Sequence, residues 1–390
     1  MGSLMRTFIS LLAVSLLGLF LTRLAAAQAT SSKTLTDELD RLINQRFPET
    51  KCPGLSIAVS REKQIIFSKA IGLADVEQNV LMKPESVQRL GSLSKPISGT
   101  IVMSLVDQGK LALDASIRSY LPELPESYQS VTLRRLMDHQ SGVRGFTDAA
   151  DVAFSTRHFA TSREVLKTFM SHQLVFEPGT RVEYSSLGFT IIGAAAEAVT
   201  GLSFQQLAAR FFSEHGITGL YLDDPLAIVP RRVKGYLVDP SSSITFNTGQ
   251  VLSRDYLAGT TDAITNARFY DISNRYPAGG FDASSEDLLR FTHAVAAGHL
   301  LSPDTVRTMW TAQQTQDGLK TVFGLGWGVS QFRGHLMVGM NGAEPGSTAF
   351  LRYIPDAGVG VVIVCNAEGA RGLDSLLNDV LERTGAASKE

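Results

Sequence analysis

Arg89-Leu-Gly-Ser-Leu-Ser-Lys-Pro-Ile-Ser-Gly99 places a hydroxyl, Ser92, three residues before an amine, Lys95. A helix starting at Ser92 puts positions i and i+3 on one face, about one turn apart. The amine then reaches the hydroxyl and takes its proton, which turns a weak alcohol into a nucleophile. Ile97, Ile101, Met103 and Leu105 give the segment an apolar anchor. Pro96 falls in the first helical turn, where a missing N–H costs little. Alone, the pattern has a plainer reading, an N-cap serine followed by a solvated lysine, so its meaning depends on what surrounds it.

The bulk of the chain narrows the choices. A formal net charge of −2 with interspersed signs leaves no basic stripe, which argues against a nucleic-acid partner. Residues 1–29 read as a secretory signal peptide. A charge at Arg6 precedes the apolar run Phe8 to Leu21, and Ala25, Ala27 and Ala29 supply the small residues of a cleavage site. Arg23 interrupts the run and leaves it short of the ~20 residues of a comfortable membrane span; the alternative is an uncleaved N-terminal anchor. The expectation is a secreted or periplasmic protein, with residues 30–390 as a single catalytic domain and no membrane span in its mature part. Cys52 and Cys365 either pair, if the strands beside them are antiparallel neighbours, or remain buried thiols. No Cys/His cluster and no His-Glu-x-x-His occurs, so neither metal nor cofactor is expected. The seven histidines read as ordinary surface or core residues.

Hydrophobic periodicity sets the organisation. Leu35, Leu39, Leu42 and Ile43 share a helical face over 35–47, which Pro48 is expected to stop. The runs 54–60 and 64–70 read as a hairpin. Helical patterns then dominate from Ser92 to about 215, including Ser203–Glu214 with a Ser203/Gln206 capping box. Residues 222–280 carry no sustained period and are too long for a bland connector, which points to a binding loop or lid. A capped helix over 284–297 follows. Strands return over 324–330, 335–340, 347–354 and 359–364, and a final helix covers 371–383. The fold class is α/β of the α+β kind: an antiparallel sheet built from N- and C-terminal strands, flanked by helices, with a mainly helical lobe inserted over about 92–285.

Three further stretches strengthen the Ser92/Lys95 pattern. Glu177-Pro-Gly-Thr-Arg-Val-Glu-Tyr-Ser-Ser-Leu-Gly-Phe places Tyr184 at a turn before a helix. Leu136-Met-Asp-His-Gln-Ser-Gly-Val lies between them, and Val338-Gly-Met-Asn-Gly-Ala-Glu-Pro-Gly-Ser is a strand running into a turn. With Gly279-Gly-Phe-Asp-Ala-Ser-Ser-Glu-Asp-Leu and Phe323-Gly-Leu-Gly-Trp-Gly, their order resembles the serine β-lactamase-related family over roughly residues 35–385. That family includes class C β-lactamases, penicillin-binding carboxypeptidases and related esterases. The resemblance implies a β-lactamase/transpeptidase-like fold, with Ser92 as nucleophile, Lys95 as its activating partner and Tyr184 as the phenolate or phenol that exchanges protons with nucleophile and leaving group. It also implies an oxyanion site from the backbone N–H groups of Ser92 and Ala343, with Gly342 letting substrate lie close to the strand.

Two departures bear on substrate. The second motif, often Tyr-x-Asn, here reads Tyr184-Ser185-Ser186, and Ser186 is shorter than asparagine. The third, usually Lys-Thr-Gly or His-Thr/Ser-Gly, reads Met340-Asn341-Gly342. Methionine cannot attract a substrate carboxylate, whose desolvation is costly, unless Arg333 or an arginine of 222–280 compensates; otherwise Met340 simply packs. The expectation is an exported serine hydrolase acting on neutral esters or amides through an acyl-enzyme on Ser92. The alternatives are a D-Ala carboxypeptidase, D-aminopeptidase or weak β-lactamase, or a non-catalytic binding protein that keeps the fold. An α/β-hydrolase reading fails for want of a Gly-x-Ser-x-Gly: Gly54-Leu-Ser-Ile-Ala comes closest, and Ser56 reads as structural.

Overall fold

The computed structural model describes residues 33–146, 157–238 and 264–385. The signal-peptide reading of residues 1–29 and the stretch 239–263 lie outside the described residues. The chain divides into two compact units at Arg46/Phe47. In the first unit a helix begins at residue 33, and Leu35, Leu39, Leu42 and Ile43 are buried as their spacing predicts. Pro48 does not stop this helix, which runs on to residue 50. A proline in a final turn forfeits one N–H of the ladder, and here the helix ends two residues later.

The main unit carries thirteen strands among its described residues, in chain order β1 (Gly54–Arg61), β2 (Gln64–Asp75), β3 (Val80–Leu81), β4 (Gln88–Arg89), β5 (Leu220–Leu222), β6 (Tyr236–Leu237), β7 (Thr265–Asn266), β8 (Phe281–Ala283), β9 (Gly328–Phe332), β10 (His335–Glu344), β11 (Ser347–Ile354), β12 (Val359–Cys365) and β13 (Ala367–Glu368). Seven of them form one sheet in the order β3-β2-β1-β12-β11-β10-β9, antiparallel throughout. The sheet therefore joins the two ends of the domain, as the strand pattern predicts. β1 and β12 are buried along nearly their whole length. That is why β12 is a continuous apolar run and β1 is one broken only by the buried Ser56 and Ser60, neither alternating with exposed polar residues. Helices Ser285–Ala296 and Leu373–Thr384 pack on these central strands. Ser56 is buried and its Oγ accepts from Gln88 Nε2 at 2.7 Å, a structural role.

Cys52 and Cys365 are joined in a disulfide. β1 pairs β12 with Leu55 opposite Cys365, which brings Cys52, two residues before β1, to the end of β12.

Between the sheet halves lie the helices Ser94–Asp107, Leu133–Met137, Ser162–Phe169, Ser186–Thr200 and Phe204–Glu214. Ser203 caps the last with the predicted capping box to Gln206. The irregular region is less irregular than its sequence reads. Its described parts contribute to two three-stranded sheets, β13-β6-β7 and β4-β8-β5, and to a helical turn over Ile272–Arg275 and Tyr276–Gly279. The strand expected over 324–330 begins only at Gly328. Gly324 and Gly326 make a turn closed by the Gly324 N–H to Trp327 O bond of 2.8 Å, with Gly326 at φ +80°.

Candidate active site

Ser92 sits in a short 3-10 turn, Gly91–Leu93, that leads into the helix Ser94–Asp107; the α-helix begins two residues later than the sequence reading places it. Two glycines permit this placement. Gly91 has φ +52°, and a side chain there would meet Ala343 N and O at 2.8 Å. A Cβ on Gly342 would fall 1.9 Å from Leu90 O. The serine turn and β10 thus touch backbone to backbone. The N and O of one strand residue point to the same edge, so the Ala343 N–H faces the Ser92 turn. That edge is open because the β9 pairing ends at Gly339. The Ser92 N–H belongs to the first turn of its helix, where donors have no intrahelical partner. Two donors on facing backbone segments of this kind are the type of group that suits a developing oxyanion.

The helix carrying Lys95 is buried on nearly all sides, and Lys95 is 0% exposed. Its Nζ donates to Ser92 Oγ (3.2 Å), Ser186 Oγ (3.3 Å) and Ala278 O (3.0 Å). Burial lowers its pKa to about 7, with Glu344 opposing the shift and Arg275 adding to it. The amine is therefore poised to accept a proton near neutral pH.

Tyr184 OH donates to Ser92 Oγ at 2.7 Å. Although Tyr184 is 40% exposed, desolvation pushes its pKa well above 10 and outweighs the lowering by Ser92. That direction favours the phenol over the phenolate at rest. Ser185 fixes the tyrosine from the next position. It caps the Ser186–Thr200 helix through the Gly188 N–H, and its Oγ donates to Arg144 O at 2.7 Å.

His139 is buried, within the reading of the histidines as surface or core residues, but it packs directly on the site. Its ring lies 4.4 Å from that of Tyr184 and 4.7 Å from that of Phe323. Its Nδ1 accepts the Ser185 N–H at 3.2 Å, and burial, then Lys95, holds it well below the usual histidine range. It is a neutral backing for Tyr184. Its place one residue after Asp138 in the quoted 136–143 motif was the available signal.

Ser92 and Tyr184 open onto a cavity of about 570 Å³, lined also by Phe323, Asn341, Phe350 and Arg352. Ala343, Gly342 and Asn341 all line it, so the structure gathers every oxyanion and substrate residue expected from sequence except Ser186, which meets Lys95 behind it. Met340 lines the cavity and packs into the core. The compensating arginine is neither Arg333, which pairs with Glu382, nor one of the described residues of 222–280, none of which lines the cavity. Arg352 reaches it from β11, with its Nη2 3.2 Å from Asp374.

The Beta-lactamase family model matches residues 39–384. Esterase EstB of Burkholderia gladioli is 29% identical, over 77% of this chain and 80% of its own. The human Serine beta-lactamase-like protein LACTB, mitochondrial, is 22% identical over 86% of this chain and 77% of its own. Among solved structures, D-amino acid amidase from Ochrobactrum anthropi superposes with a TM-score of 0.74 at 20% identity, covering 90% of this chain and 98% of that one.

Proposed function

The chain belongs to the Beta-lactamase family, and from that premise we propose that it is a serine hydrolase working through an acyl-enzyme on Ser92. The observation that carries this reading is the convergence on Ser92 Oγ of a phenol at 2.7 Å and a buried amine at 3.2 Å. Neutral Lys95 takes the Ser92 proton as Oγ attacks the substrate carbonyl carbon. The carbonyl oxygen gathers charge against the N–H groups of Ser92 and Ala343. Tyr184 gives its proton to the departing alcohol or amine as the C–O or C–N bond breaks, and regains one from the ammonium of Lys95. Water then repeats the sequence on the acyl carbon, returning Ser92 and releasing the acid.

Neutral esters are the proposed substrate class. Met340 brings no charge to the cavity, and the Arg352 charge is met by Asp374. The relative named Esterase EstB agrees in kind. We further propose export, supported by the Cys52–Cys365 disulfide, since disulfides persist in oxidising compartments.

The test is fluorophosphonate labelling of wild type and Ser92→Ala, followed by turnover of p-nitrophenyl esters, nitrocefin and D-amino peptides. Label confined to wild type and a preference for the esters are expected. Folded wild-type protein that takes no label would leave a non-catalytic binding protein. Nitrocefin or D-peptide turnover without esterase activity would transfer the chemistry to the lactamase or peptidase alternative.

A further inference from the structure

The mechanism above leaves one buried ion pair unused. Glu344 follows Ala343 on β10, and its carboxylate turns away from the cavity to meet Arg275 Nη2 at 3.1 Å. Both side chains are buried, at 7% and 6% exposure. Arg275 stacks over the rings of Phe146 and Tyr270 at 4.9 and 4.7 Å. Glu344 Oε1 occupies the space beside Gly279 where a Cβ would fall, 2.6 Å from that position. The residue before Gly279 is Ala278, whose carbonyl accepts the Lys95 amine at 3.0 Å. One carboxylate therefore ties the strand that bears the Ala343 N–H to the turn that bears the Lys95 acceptor.

We propose that Glu344, through its pair with Arg275 and its seat on Gly279, is a positioning residue that holds the 275–279 turn on Lys95 and sets two opposed charges beside the amine. The inference rests on the reading of Ser92 and Lys95 as nucleophile and base. A buried pair of this kind contributes little to stability against a well-packed apolar replacement, so a role in placing groups and charge accounts for it better than stability does. Lys95 is faced by Ser92 from its own turn, by His139, Tyr184 and Ser186 from residues 139–186, and by Ala278 O, Arg275 and Glu344 from the 275–279 turn and β10. Glu344 is in turn faced by Arg275, Arg89, Asp223 and Lys95. Glu344 favours the ammonium and Arg275 disfavours it.

The opposed signs give the experiment its force. Removing the carboxylate with Glu344→Gln is expected to move the acid limb of Ser92 phosphonylation by a fluorophosphonate about one pH unit down, and Arg275→Gln about one unit up. The same displacements are expected in the titration of the Lys95 side chain, followed by NMR of lysine-labelled protein and assigned by the signal lost in Lys95→Arg. Shifts in the same direction, or none in folded variants, would overturn the proposal. Glu344→Asp separates charge from position. It is expected to keep the limb and lower kcat about 100-fold as the turn loses its seat; wild-type kcat in this variant would overturn the positioning role. If wild type takes no Ser92-dependent label, the acyl-enzyme reading fails, and the NMR titration still decides the effect of the pair on Lys95.

Discussion

At Lys95, burial and function pull the same way. Desolvation lowers the amine to about 7, and the proposed base is its neutral form. The proposed activity is expected to be lost well below pH 7 and to rise as pH climbs through that value. Because the pKa of Tyr184 is raised rather than lowered, the phenol stays intact, and no alkaline fall is expected until far above neutrality. A pH profile of kcat/KM for p-nitrophenyl ester hydrolysis measures both limbs; a profile flat from pH 5 to 8 would contradict this assignment. Lys95→Ala should lose about 10²–10⁴-fold in kcat. His139→Phe keeps a ring against Tyr184 but deprives the buried Ser185 N–H of its acceptor. A loss of about 1–3 kcal/mol in a urea melt is expected. Ser92 and Lys95 were legible in the sequence because their relation is local, three positions along one turn. His139 was not, because its partners Tyr184 and Phe323 come from distant parts of the chain, and burial rather than spacing makes it neutral.

Helices and strands carry the site into register by leaving atoms out. Gly91 and Gly342 are two places where the serine turn and β10 share backbone contact. A methyl group on Gly342 meets a carbonyl oxygen that cannot rotate away, so strand and turn must separate. That separation moves the Ala343 N–H off the proposed oxyanion position. Gly342→Ala is therefore expected to cut kcat by about 10²–10³-fold, the scale of losing one oxyanion donor, at nearly unchanged KM. Steady-state kinetics beside a thermal melt would check it, and normal kcat in a folded variant would refute the contact's role. The sequence pointed to Gly342 as room for substrate; Gly342 does line the cavity, and the structure adds that the side where its Cβ would fall is filled by Leu90 O. Long elements, such as the apolar runs of β1 and β12 and the periodic Phe204–Glu214 helix, were legible, as was the Ser203/Gln206 cap. The two small sheets were not, because strands of two or three residues such as β6 and β7 carry no period to detect. The late start of β9 likewise follows from the Gly324–Trp327 turn, which alternation alone does not reveal.

The whole molecule depends on bringing the two ends of the chain together, since β1 is hydrogen-bonded to β12 at the centre of the large sheet. The residues that bear the chemistry are spread in sequence, with Ser92 and Lys95 early, Tyr184 in the helical part and Ala343 on β10. They meet only when that sheet closes over the inserted helices. Sequence left the cysteines open between pairing and isolation, because the choice turns on whether β1 and β12 are neighbours. Once they are, the disulfide spans a sequence separation of 313 residues. It restrains the unfolded chain over almost the entire domain, while its sulfurs line none of the catalytic cavity. Cys52→Ser/Cys365→Ser is accordingly expected to lose about 2–5 kcal/mol of unfolding free energy and to keep the rate of Ser92 labelling at temperatures where it stays folded. Urea melts of wild type with and without reductant should reproduce the difference. An unchanged midpoint on reduction would mean the closed sheet needs no covalent tie, and would remove the support that the disulfide lends to export.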